Sequence, residues 1–323
     1  MTEITTTESP SSAPDRPSVV VAMLTYRRPD DLPEALPAVL AELDAVDAHA
    51  SILIIDNDPA ASAMPLATRY TSDPVRFVHE PTPGIAAARN RALDETRGDA
   101  VIVFIDDDER PEAGWLASLL ATWRATGAAA VVGPVVSTYA HEPEPWLVEG
   151  GFFRRRRLPT GTDVDVAATN NLLLDRAQVE RLSVRFDTQF GASGGSDTLF
   201  TRQIHQRGGR LVWCAEAMVV DVVPASRLTR RWVLQRALRT GNSWSRTSIA
   251  LEAGTVARLR RRLVLTGQAV TRIVGGIARL ALGFVVRSVR HEANGARTLA
   301  RGLGMAGGAW GYTYVEYRRK QAG

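Results

Sequence analysis

Short apolar runs alternate with helix-like segments over the N-terminal two thirds of the chain, and this alternation restricts the fold more than any other feature. The runs are rich in β-branched residues and nearly unbroken, as in strands that are buried on both faces. The sequence therefore predicts an α/β fold with a mostly parallel mixed sheet and helices on both faces. The predicted strands span residues 18–24, 51–56, 75–80, 100–106 and 128–136, with further strands in 167–182 and 210–224. The predicted helices span residues 30–45, 84–98, 114–127, the later part of 167–182, part of 190–209 and much of 228–303.

Polar residues follow several predicted strands at the point where each strand ends. Thr25 and Tyr26 follow the first strand, Asp56 ends the second, and Asp106–Asp108 end the strongest apolar run. In open α/β sheets, ligands bind beyond the carboxyl ends of the strands. We therefore expect these polar residues to share one ligand site.

The segment VIVFIDDDERPE, residues 101–112, ends an apolar strand in a cluster of like charges. Neighbouring carboxylates repel one another unless a cation or another partner compensates them. A D-x-D pair at a strand end can hold Mg²⁺ or Mn²⁺ from one side and leave coordination positions for phosphate oxygens. The alternative is a solvated acidic loop.

The charge of the chain is distributed unevenly. Residues 227–323 carry a net charge of +16, whereas residues 1–226 carry −12. A basic region of this kind favours an anionic partner, such as lipid head groups, nucleic acid or a phosphorylated substrate. It lacks a recognised nucleic-acid-binding motif, so we expect no nucleic-acid partner. Cys214 is the single cysteine, which is typical of a reducing cytoplasm.

Composition divides the chain into three parts. Residues 1–16 are polar and lack the pattern of a signal peptide, which predicts a disordered tail. Residues 17–226 contain the α/β pattern, and residues 227–323 are predicted to form a basic amphipathic helical region.

The helical segment 256–290 is apolar, but no uncharged stretch in it reaches the roughly 18–20 residues that a membrane span needs. It could lie in the surface of an anionic membrane. Alternatively, its apolar face packs on the α/β domain, and Gly275, Gly276 and Gly283 favour such close packing. Helical spacing places Arg258, Arg261, Arg272, Arg279 and Arg290 on one side and Ile273, Ile277, Leu280, Ala281 and Phe284 on the other.

Five separated segments resemble the inverting family 2 glycosyltransferases, which have the GT-A fold. They are TYRRPDDLPEAL, LIIDND, GIAAARNRAL, FIDDDERPEAGWL and GGSDTLFTRQIHQRGGRLVWCAEAMVVDVVP, in the order and spacing of that family over residues 18–245. The resemblance implies a nucleotide-diphospho-sugar transferase domain at 17–226. It implies a UDP-, GDP- or dTDP-sugar donor, Mn²⁺ or Mg²⁺, and a glycan or lipid-linked acceptor. The expected role is cell-envelope or exopolysaccharide synthesis in the cytoplasm, peripheral to the inner face of the membrane.

The resemblance also implies site residues. Asp106 and Asp108 match the D-x-D pair that binds the metal, and Asp107 lies between them near the nucleotide. The remaining nucleotide-side candidates are Thr25, Tyr26 and Arg27 along the nucleoside, Asp56 and Asp58 at uracil or ribose, and Arg89 and Asn90 at the border of the pocket. Taken singly, the same residues are compatible with a strand-end turn, loop acids and a helix surface.

Asp197 in GGSD matches the catalytic base, which would take the proton of the acceptor hydroxyl during a single displacement. The alternative is that Ser196 or Asp197 is a helix N-cap. Two positions depart from the common family pattern: Ser196 replaces a frequent Glu, and Asp221 stands where many members have His. Asp221 could complete the metal shell as an oxygen ligand or could simply end a strand.

Further polar and aromatic residues have two interpretations each. Asn170 and Asn171 could bind sugar hydroxyls or cap the next element. The segment 137–166 looks like a mobile excursion over the site, and Trp146, Phe152 and Phe153 could stack on a sugar ring or anchor this excursion. Arg154–Arg157 could meet a phosphorylated acceptor or form a solvated loop.

Two other functions fit parts of the pattern. A sugar-nucleotidyltransferase would carry a Gly-rich loop after the first strand, and TYRRPDD lacks these glycines. A non-catalytic, membrane-associated nucleotide-sugar binder would not need Asp197 as a base.

Overall fold

The structure is a computed structural model that describes residues 16–28, 30–71, 74–191 and 193–314. The predicted tail at 1–16 therefore lies outside the described residues, apart from Arg16. The strands are β1 Ser18–Thr25, β2 His49–Asp56, β3 Val75–His79, β4 Val101–Asp106, β5 Glu109–Pro111, β6 Ala130–Val132, β7 Val135–Tyr139, β8 Asp163–Val164, β9 Asn171–Asp175, β10 Leu211–Trp213 and β11 Val219–Val223. The helices are α1 Asp31–Asp44, α2 Ile85–Glu95, α3 Trp115–Thr126, α4 Pro145–Glu149, α5 Arg176–Arg181, α6 Ser196–Gln206, α7 Arg230–Ala250, α8 Thr255–Val285 and α9 Val289–Ala309.

The main sheet has eight strands in the order β3-β2-β1-β4-β9-β6-β10-β8. The strands β3, β2, β1 and β4 run parallel to one another, whereas β9 is antiparallel to both β4 and β6. A second sheet has three strands in the order β5-β11-β7. This architecture confirms the predicted α/β fold with a mostly parallel mixed sheet.

Two hydrophobic cores lie on opposite faces of the main sheet because successive strand residues point to opposite faces. Val19, Val21 and Met23 of β1 face the first core, which also contains apolar residues of α1 and α3. Val20 and Ala22 face the second core, which contains residues of α2, α5 and α6. Helices therefore cover both faces, as the continuously apolar strands predict.

The predicted strand at 128–136 is wrong as a single element. It divides into β6, which joins the main sheet, and β7, which joins the second sheet. Gly133 and Pro134 lie between them, and a Cβ at Gly133 would overlap Ala217 O and the side chain of Asn171. Pro134 has no backbone N–H to donate to a ladder, so the chain leaves one sheet and enters the other at this point.

The C-terminal region is helical, as predicted, and α9 packs against both α7 and α8 through glycines. A Cβ at Gly241 of α7 would overlap Arg301 O, and one at Gly304 of α9 would overlap Leu238 O. On the other side of α9, a Cβ at Gly276 of α8 would lie 2.6 Å from Leu299 N. Close backbone contact therefore holds the three helices together.

The face of α8 that points away from α9 is apolar and exposed. The predicted apolar face of α8 does not pack on the α/β domain: its Ile273 and Leu280 lie against α9, whereas its Ile277 and Phe284 are exposed. Among the described helices, α8 is also the one that is long and apolar enough to cross a membrane. An 18-residue window of α8 has a mean hydropathy of 1.3, and 17% of this window is buried. The exposed apolar side chains on α8 include Val256, Leu259, Leu263, Val270, Val274, Ile277, Leu282, Phe284 and Val285.

Candidate active site

The strand ends that carry the predicted site residues lie side by side. Thr25 of β1 pairs in register with Asp56 of β2. On the other side of β1, Leu24 pairs with Asp106 of β4. The next strand continues this edge, because Ile105 of β4 pairs with Asn171 of β9. The structure therefore brings the predicted strand-end residues together at one edge of the sheet.

The acidic residues that follow β4 carry more negative charge than their surroundings compensate. Burial and the neighbouring charge of Asp108 raise the pKa of Asp106 to about 7, although Arg89 opposes this rise. Burial also raises the pKa of Asp107 to about 6, against the opposing effects of Thr25 and Arg28. Desolvation disfavours the charged carboxylate, and each like charge adds to that effect.

Glu109 belongs to the same acidic cluster. Its side chain is 2% exposed, and its pKa is raised well above the ordinary value by burial and then by Asp106. Asn170 Nδ2 donates to Glu109 Oε1 at 2.6 Å. In the second sheet, Glu109 of β5 pairs in register with Asp221 of β11, so the cluster extends onto β11.

Two arginines contact Asp108 of this acidic cluster. Arg28 Nη1 donates to Asp108 Oδ2 at 2.7 Å and lies 3.4 Å from Asp107 Oδ1. Arg227 Nη2 lies 3.7 Å from the same Asp108 oxygen. Asp108 keeps 28% of its side chain exposed, so a ligand can reach this carboxylate.

The D-x-D pair fits a divalent cation as a partial site. Within the described ranges, no group of three or more His, Cys, Asp or Glu side chains has the geometry of a metal centre, so Asp106, Asp108 and Asp221 are not assembled as a three-ligand set. Two carboxylates with phosphate oxygens are nevertheless an ordinary environment for Mg²⁺. Hard oxygen donors and uncompensated negative charge at Asp106 both suit such a cation.

Asp197 lies in the first turn of α6 and next to the acidic cluster. Gly195 occupies the N-cap position, and no side chain caps the helix, so the interpretation of Ser196 or Asp197 as the N-cap is wrong. Asp197 Oδ1 accepts from Thr198 N at 2.7 Å, whereas Oδ2 makes no hydrogen bond with the described residues. The charge of Asp197 reaches Asp106 and contributes to its raised pKa.

Arg89 and Ser196 connect the acidic strand end to the start of α6. Arg89 Nη1 donates to Ser196 Oγ at 2.7 Å, and both side chains are buried. The Arg89 guanidinium also lies 5.5 Å from the centre of the Phe186 ring. The serine at this departure from the family pattern is thus a hydrogen-bond acceptor for a buried charge.

The carboxylates after β2 shape the loop beside β1. Asp56 is fully buried and accepts hydrogen bonds from Asp58 N and Ala63 N at 3.0 and 2.7 Å. Asp58 Oδ1 accepts from Arg27 Nε at 3.2 Å. Burial acts to raise the pKa of Asp58, but hydrogen bonds from Ala60 N and Arg27 outweigh it, and the pKa is lowered.

Arg27 has a left-handed backbone with a φ of 55°, which turns the chain directly after Thr25 and Tyr26. This conformation is uncommon for a residue other than glycine. The Arg27 guanidinium lies 5.2 Å from the centre of the Tyr26 ring. The turn therefore places Thr25, Tyr26 and Arg27 together at the edge where β1 and β2 end.

Asn90 and Asn171 have contacts that fix the fold. The Asn90 amide pairs with the backbone of Phe186 in both directions, at 2.8 and 3.0 Å. Asn171 Nδ2 donates to Pro134 O and Ala217 O, and Asn171 Oδ1 accepts from Trp115 Nε1 at 2.9 Å. Asn171 is therefore a core residue, and the nucleotide role of Asn90 stays a prediction.

The segment 137–166 is anchored to the C-terminal helices. Trp146 and Phe153 are each 6% exposed and pack in one cluster with Leu228 and Val233. The Phe153 ring stacks on Trp232 at 6.1 Å, and Phe152 stacks on Trp146 at 5.0 Å. Of the two interpretations of these aromatics, the structure shows the anchoring role.

Asp221 forms an ion pair with the anchored segment. Arg155 Nη2 donates to Asp221 Oδ2 at 3.0 Å, and Asp221 is 8% exposed. The assignment of Asp221 as a metal ligand remains a prediction, and Arg155 is its observed partner.

Several residues at the site escaped the sequence reasoning. Glu109 directly follows the three aspartates in the like-charged stretch 101–112, but it was not among the predicted site residues. Arg28 and Arg227 lie 199 positions apart, and both meet Asp108. No local pattern relates them, because their proximity depends on where α7 begins relative to β4.

Comparisons with known proteins agree with this fold. The glycosyl transferase family 2 model matches residues 20–182. The succinoglycan biosynthesis protein ExoM of Rhizobium meliloti is 35% identical over 229 residues, which cover 70% of this chain and 74% of ExoM. A mannosyltransferase of Pyrobaculum calidifontis was solved with GDP-Man and Mn²⁺. Its structure matches this chain with a TM-score of 0.59 at 19% identity, and the match covers 92% of this chain and 89% of the mannosyltransferase chain. The structure of S. aureus TarS with UDP-GlcNAc matches this chain with a TM-score of 0.52 at 13% identity. The match covers 88% of this chain and 90% of the TarS chain. Since the family model spans half of the chain and a relative shares 35% of the aligned residues, the chain belongs to glycosyl transferase family 2 and has the GT-A fold.

Proposed function

We propose that the chain transfers a sugar, with inversion, from a nucleoside-diphosphate donor to a glycan or lipid-linked acceptor in cell-envelope or exopolysaccharide synthesis. The observation that carries the proposal is the position of the D-x-D pair. Asp106 ends β4 beside the nucleotide-side strand β1, and Asp197 is close enough for its charge to act on Asp106. A donor site and a base therefore adjoin each other at one edge of the sheet.

The similar structures support a nucleotide-sugar donor. The mannosyltransferase contains GDP-Man and Mn²⁺, and TarS contains UDP-GlcNAc. The similarity to ExoM supports a role in polysaccharide synthesis. In this proposal the donor is a UDP-, GDP- or dTDP-sugar.

Asp106 and Asp108 would hold Mn²⁺ or Mg²⁺, with Asp221 as a further candidate ligand. Bound there, the cation supplies Lewis-acid stabilisation of the charge that develops on the leaving nucleoside diphosphate. Arg28 already bonds to Asp108 at 2.7 Å, so its positive charge lies beside the same phosphate position and adds electrostatic stabilisation.

The nucleoside would lie against the ends of β1 and β2. Thr25, Tyr26 and Arg27 form the turn after β1, and Asp58 fixes the Arg27 side chain at 3.2 Å. Asp56 holds the loop that carries Asp58 through the hydrogen bond from Asp58 N. Asp107, Arg89 and Asn90 complete the set proposed near the nucleotide.

Asp197 is the proposed base. Its Oδ2 is free of hydrogen bonds with the described residues and can accept the proton of an acceptor hydroxyl. It lies in the first turn of α6, where a negative charge interacts favourably with the N-terminus of the helix. A single displacement at the anomeric carbon with such a base inverts the configuration.

We also propose that α8 lies in the surface of an anionic membrane, which would place the enzyme at the inner face of the cell membrane. The apolar residues on its outer face are exposed, among them Phe284 at 81% and Val285 at 77%. Arg258, Arg260 and Arg279 are exposed as well and can meet lipid head groups. The net charge of +16 over residues 227–323 supports the same partner.

A donor hydrolysis panel tests the function. The full chain would be incubated with UDP-, GDP- and dTDP-sugars and either Mn²⁺ or Mg²⁺, and release of the nucleoside diphosphate would be measured. We expect slow hydrolysis of one donor class and its loss in EDTA. Undiminished hydrolysis in EDTA would refute the metal, and no hydrolysis and no calorimetric binding of any donor would refute the transferase assignment.

A further inference from the structure

The chain that leads into Asp197 contains two consecutive glycines with left-handed backbones. Gly194 has a φ of 74° and Gly195 a φ of 94°. Helix α6 begins directly after them and carries Asp197 in its first turn. Glycine adopts positive and negative φ about equally readily, so this turn does little by itself to restrict the direction of α6. The position of the Asp197 carboxylate therefore depends on contacts that hold the turn from outside.

Arg246 of α7 makes such a contact through Ser193. Arg246 Nη1 donates to Ser193 Oγ, and Ser193 is 3% exposed. The Arg246 guanidinium also lies 4.6 Å from the centre of the Phe190 ring, which is buried. Phe190 ends the short helical turn that precedes the glycines. One side chain of α7 thus contacts two buried residues of the segment before Asp197.

Two other residues of α7 lie against Gly195. A Cβ added at Gly195 would lie 3.1 Å from Ser243 Cβ and 3.3 Å from Thr247 Cγ2. Ser243, Arg246 and Thr247 share one face of α7, because residues three and four positions apart on a helix are neighbours. This face packs on the turn at 193–195, and Arg246 adds a hydrogen bond to that packing.

The other side of the base is held by α2. Arg89 Nη1 donates to Ser196 Oγ at 2.7 Å. Ser193 and Ser196, which lie on either side of the two glycines, are thus bonded to arginines of two different helices. Burial lowers the pKa of Arg246, so its guanidinium is partly desolvated and needs an acceptor such as Ser193 Oγ.

We propose that Arg246 is a positioning residue for Asp197. Its hydrogen bond to Ser193 holds the glycine turn in the orientation that directs the Asp197 carboxylate at the acceptor hydroxyl. The basic C-terminal region, through α7, then contributes to turnover itself. This assignment rests on the proposed function, because it concerns the base of the transferase site.

Turnover of the donor that the hydrolysis panel identifies tests the proposal on the full chain. Arg246→Met removes the guanidinium donors and keeps an unbranched side chain. We expect kcat to fall at least about tenfold, because a misplaced catalytic group lowers the rate. The KM for the donor should stay within about twofold, since a contact that acts on the transition state alone lowers kcat without changing KM. Arg246→Lys keeps a charged N–H donor and should retain a higher kcat than Arg246→Met.

Arg262→Met is the matched control. Arg262 of α8 also donates one hydrogen bond, to Ala309 O, and lies 5.9 Å from the centre of the Trp310 ring, but it contacts the end of α9 rather than the glycine turn. It should keep the kcat of wild type. Ser193→Ala combined with Arg246→Met should lose no more kcat than Arg246→Met alone, because both changes remove the same bond. Unchanged kcat in Arg246→Met, an equal fall in Arg262→Met or additive losses in the double variant would overturn the proposal.

Hydrogen exchange tests the same contact without relying on activity. The backbone amides of residues 193–197 should exchange at least about tenfold faster in Arg246→Met than in wild type, because the turn opens more readily without its bond. They should exchange at the wild-type rate in Arg262→Met. Equal exchange in all three proteins would overturn the positioning role. Absence of donor hydrolysis in the wild type would count against the transferase function, and hydrogen exchange would still decide whether Arg246 holds the turn.

Discussion

Arg89 on α2 and Ser196 at the start of α6 are joined by a hydrogen bond of 2.7 Å from Arg89 Nη1 to Ser196 Oγ, although 107 positions separate them in the sequence. Arg89 is also the positive charge that opposes the raised pKa of Asp106. The guanidinium of Arg89 therefore contacts Ser196, next to the proposed base, and its charge lowers the pKa of Asp106 in the D-x-D pair.

Ser196→Ala should destabilise the fold by about 1–3 kcal/mol, because it leaves a buried charged donor without its acceptor. The free energy of unfolding from urea titration measures this. Ser226→Ala serves as the control, since Ser226 is exposed, and should change stability by less than about 0.5 kcal/mol. Equal stability of the two variants would show that the Arg89 hydrogen bond contributes nothing measurable.

Asp197→Asn should reduce turnover by about 10²-fold or more and leave donor affinity nearly unchanged, because an amide cannot accept the acceptor proton. Turnover is measured with the donor that the hydrolysis panel identifies, and affinity by calorimetry with its nucleotide. Asp165→Asn replaces an exposed carboxylate and should leave both unchanged. Full turnover in Asp197→Asn would exclude this carboxylate as the base.

Asp108→Asn should weaken Mn²⁺ binding at least about tenfold, because it replaces an anionic oxygen ligand with a neutral one. Electron paramagnetic resonance of free Mn²⁺, in the presence of the donor nucleotide, gives the affinity without relying on activity. The exposed Asp44 supplies the control variant Asp44→Asn. Unaltered Mn²⁺ affinity in Asp108→Asn would remove the D-x-D pair from the metal site.

Stability without metal should fall as pH rises from about 4 to about 7. The pKa of Asp106 is about 7 in the fold against an ordinary 3.8, so between these values the native state holds a proton that the unfolded state has released. In EDTA the melting temperature should therefore fall more for wild type than for Asp106→Asn over this range. Parallel pH profiles of the two proteins would show that Asp106 ionises normally.

Binding to vesicles that contain anionic lipid should depend on the outer face of α8. The double variant Ile277→Glu and Phe284→Glu should bind at least about tenfold more weakly, because each apolar side chain contributes about 1.5–3 kcal/mol when buried. Val148→Glu changes an exposed apolar residue of α4 and should bind as wild type does. If wild type does not sediment with the vesicles, or if all three proteins bind equally, α8 does not bind the membrane surface.

The strand ends were predictable because they depend on local pattern. Thr25, Asp56 and Asp106 each follow an apolar run, and parallel strands place their carboxyl ends at one edge. The acidic cluster follows from the same reasoning. The family resemblance then supplied roles for these residues that the pattern alone left open.

Other features depend on tertiary contacts that a local pattern does not encode. The run 128–136 is continuously apolar, and its division at Gly133 depends on the close approach of Asn171 and Ala217. Periodicity predicted an amphipathic α8, but the packed face is determined by glycines of α8 and α9 that meet across the helix pair. The ion pair of Arg155 with Asp221 likewise depends on how the excursion anchors on Trp232.

The glycine contacts of α9 have a consequence for acceptor geometry. Because α9 touches α7 and α8 at backbone distance, neither neighbour can slide without a collision of main-chain atoms. The helices α7, α8 and α9 therefore belong to one stiff unit. If α8 lies on a bilayer as proposed, this unit would hold the reaction centre at a fixed height above the lipid, and that height would limit the length of glycan that can be extended.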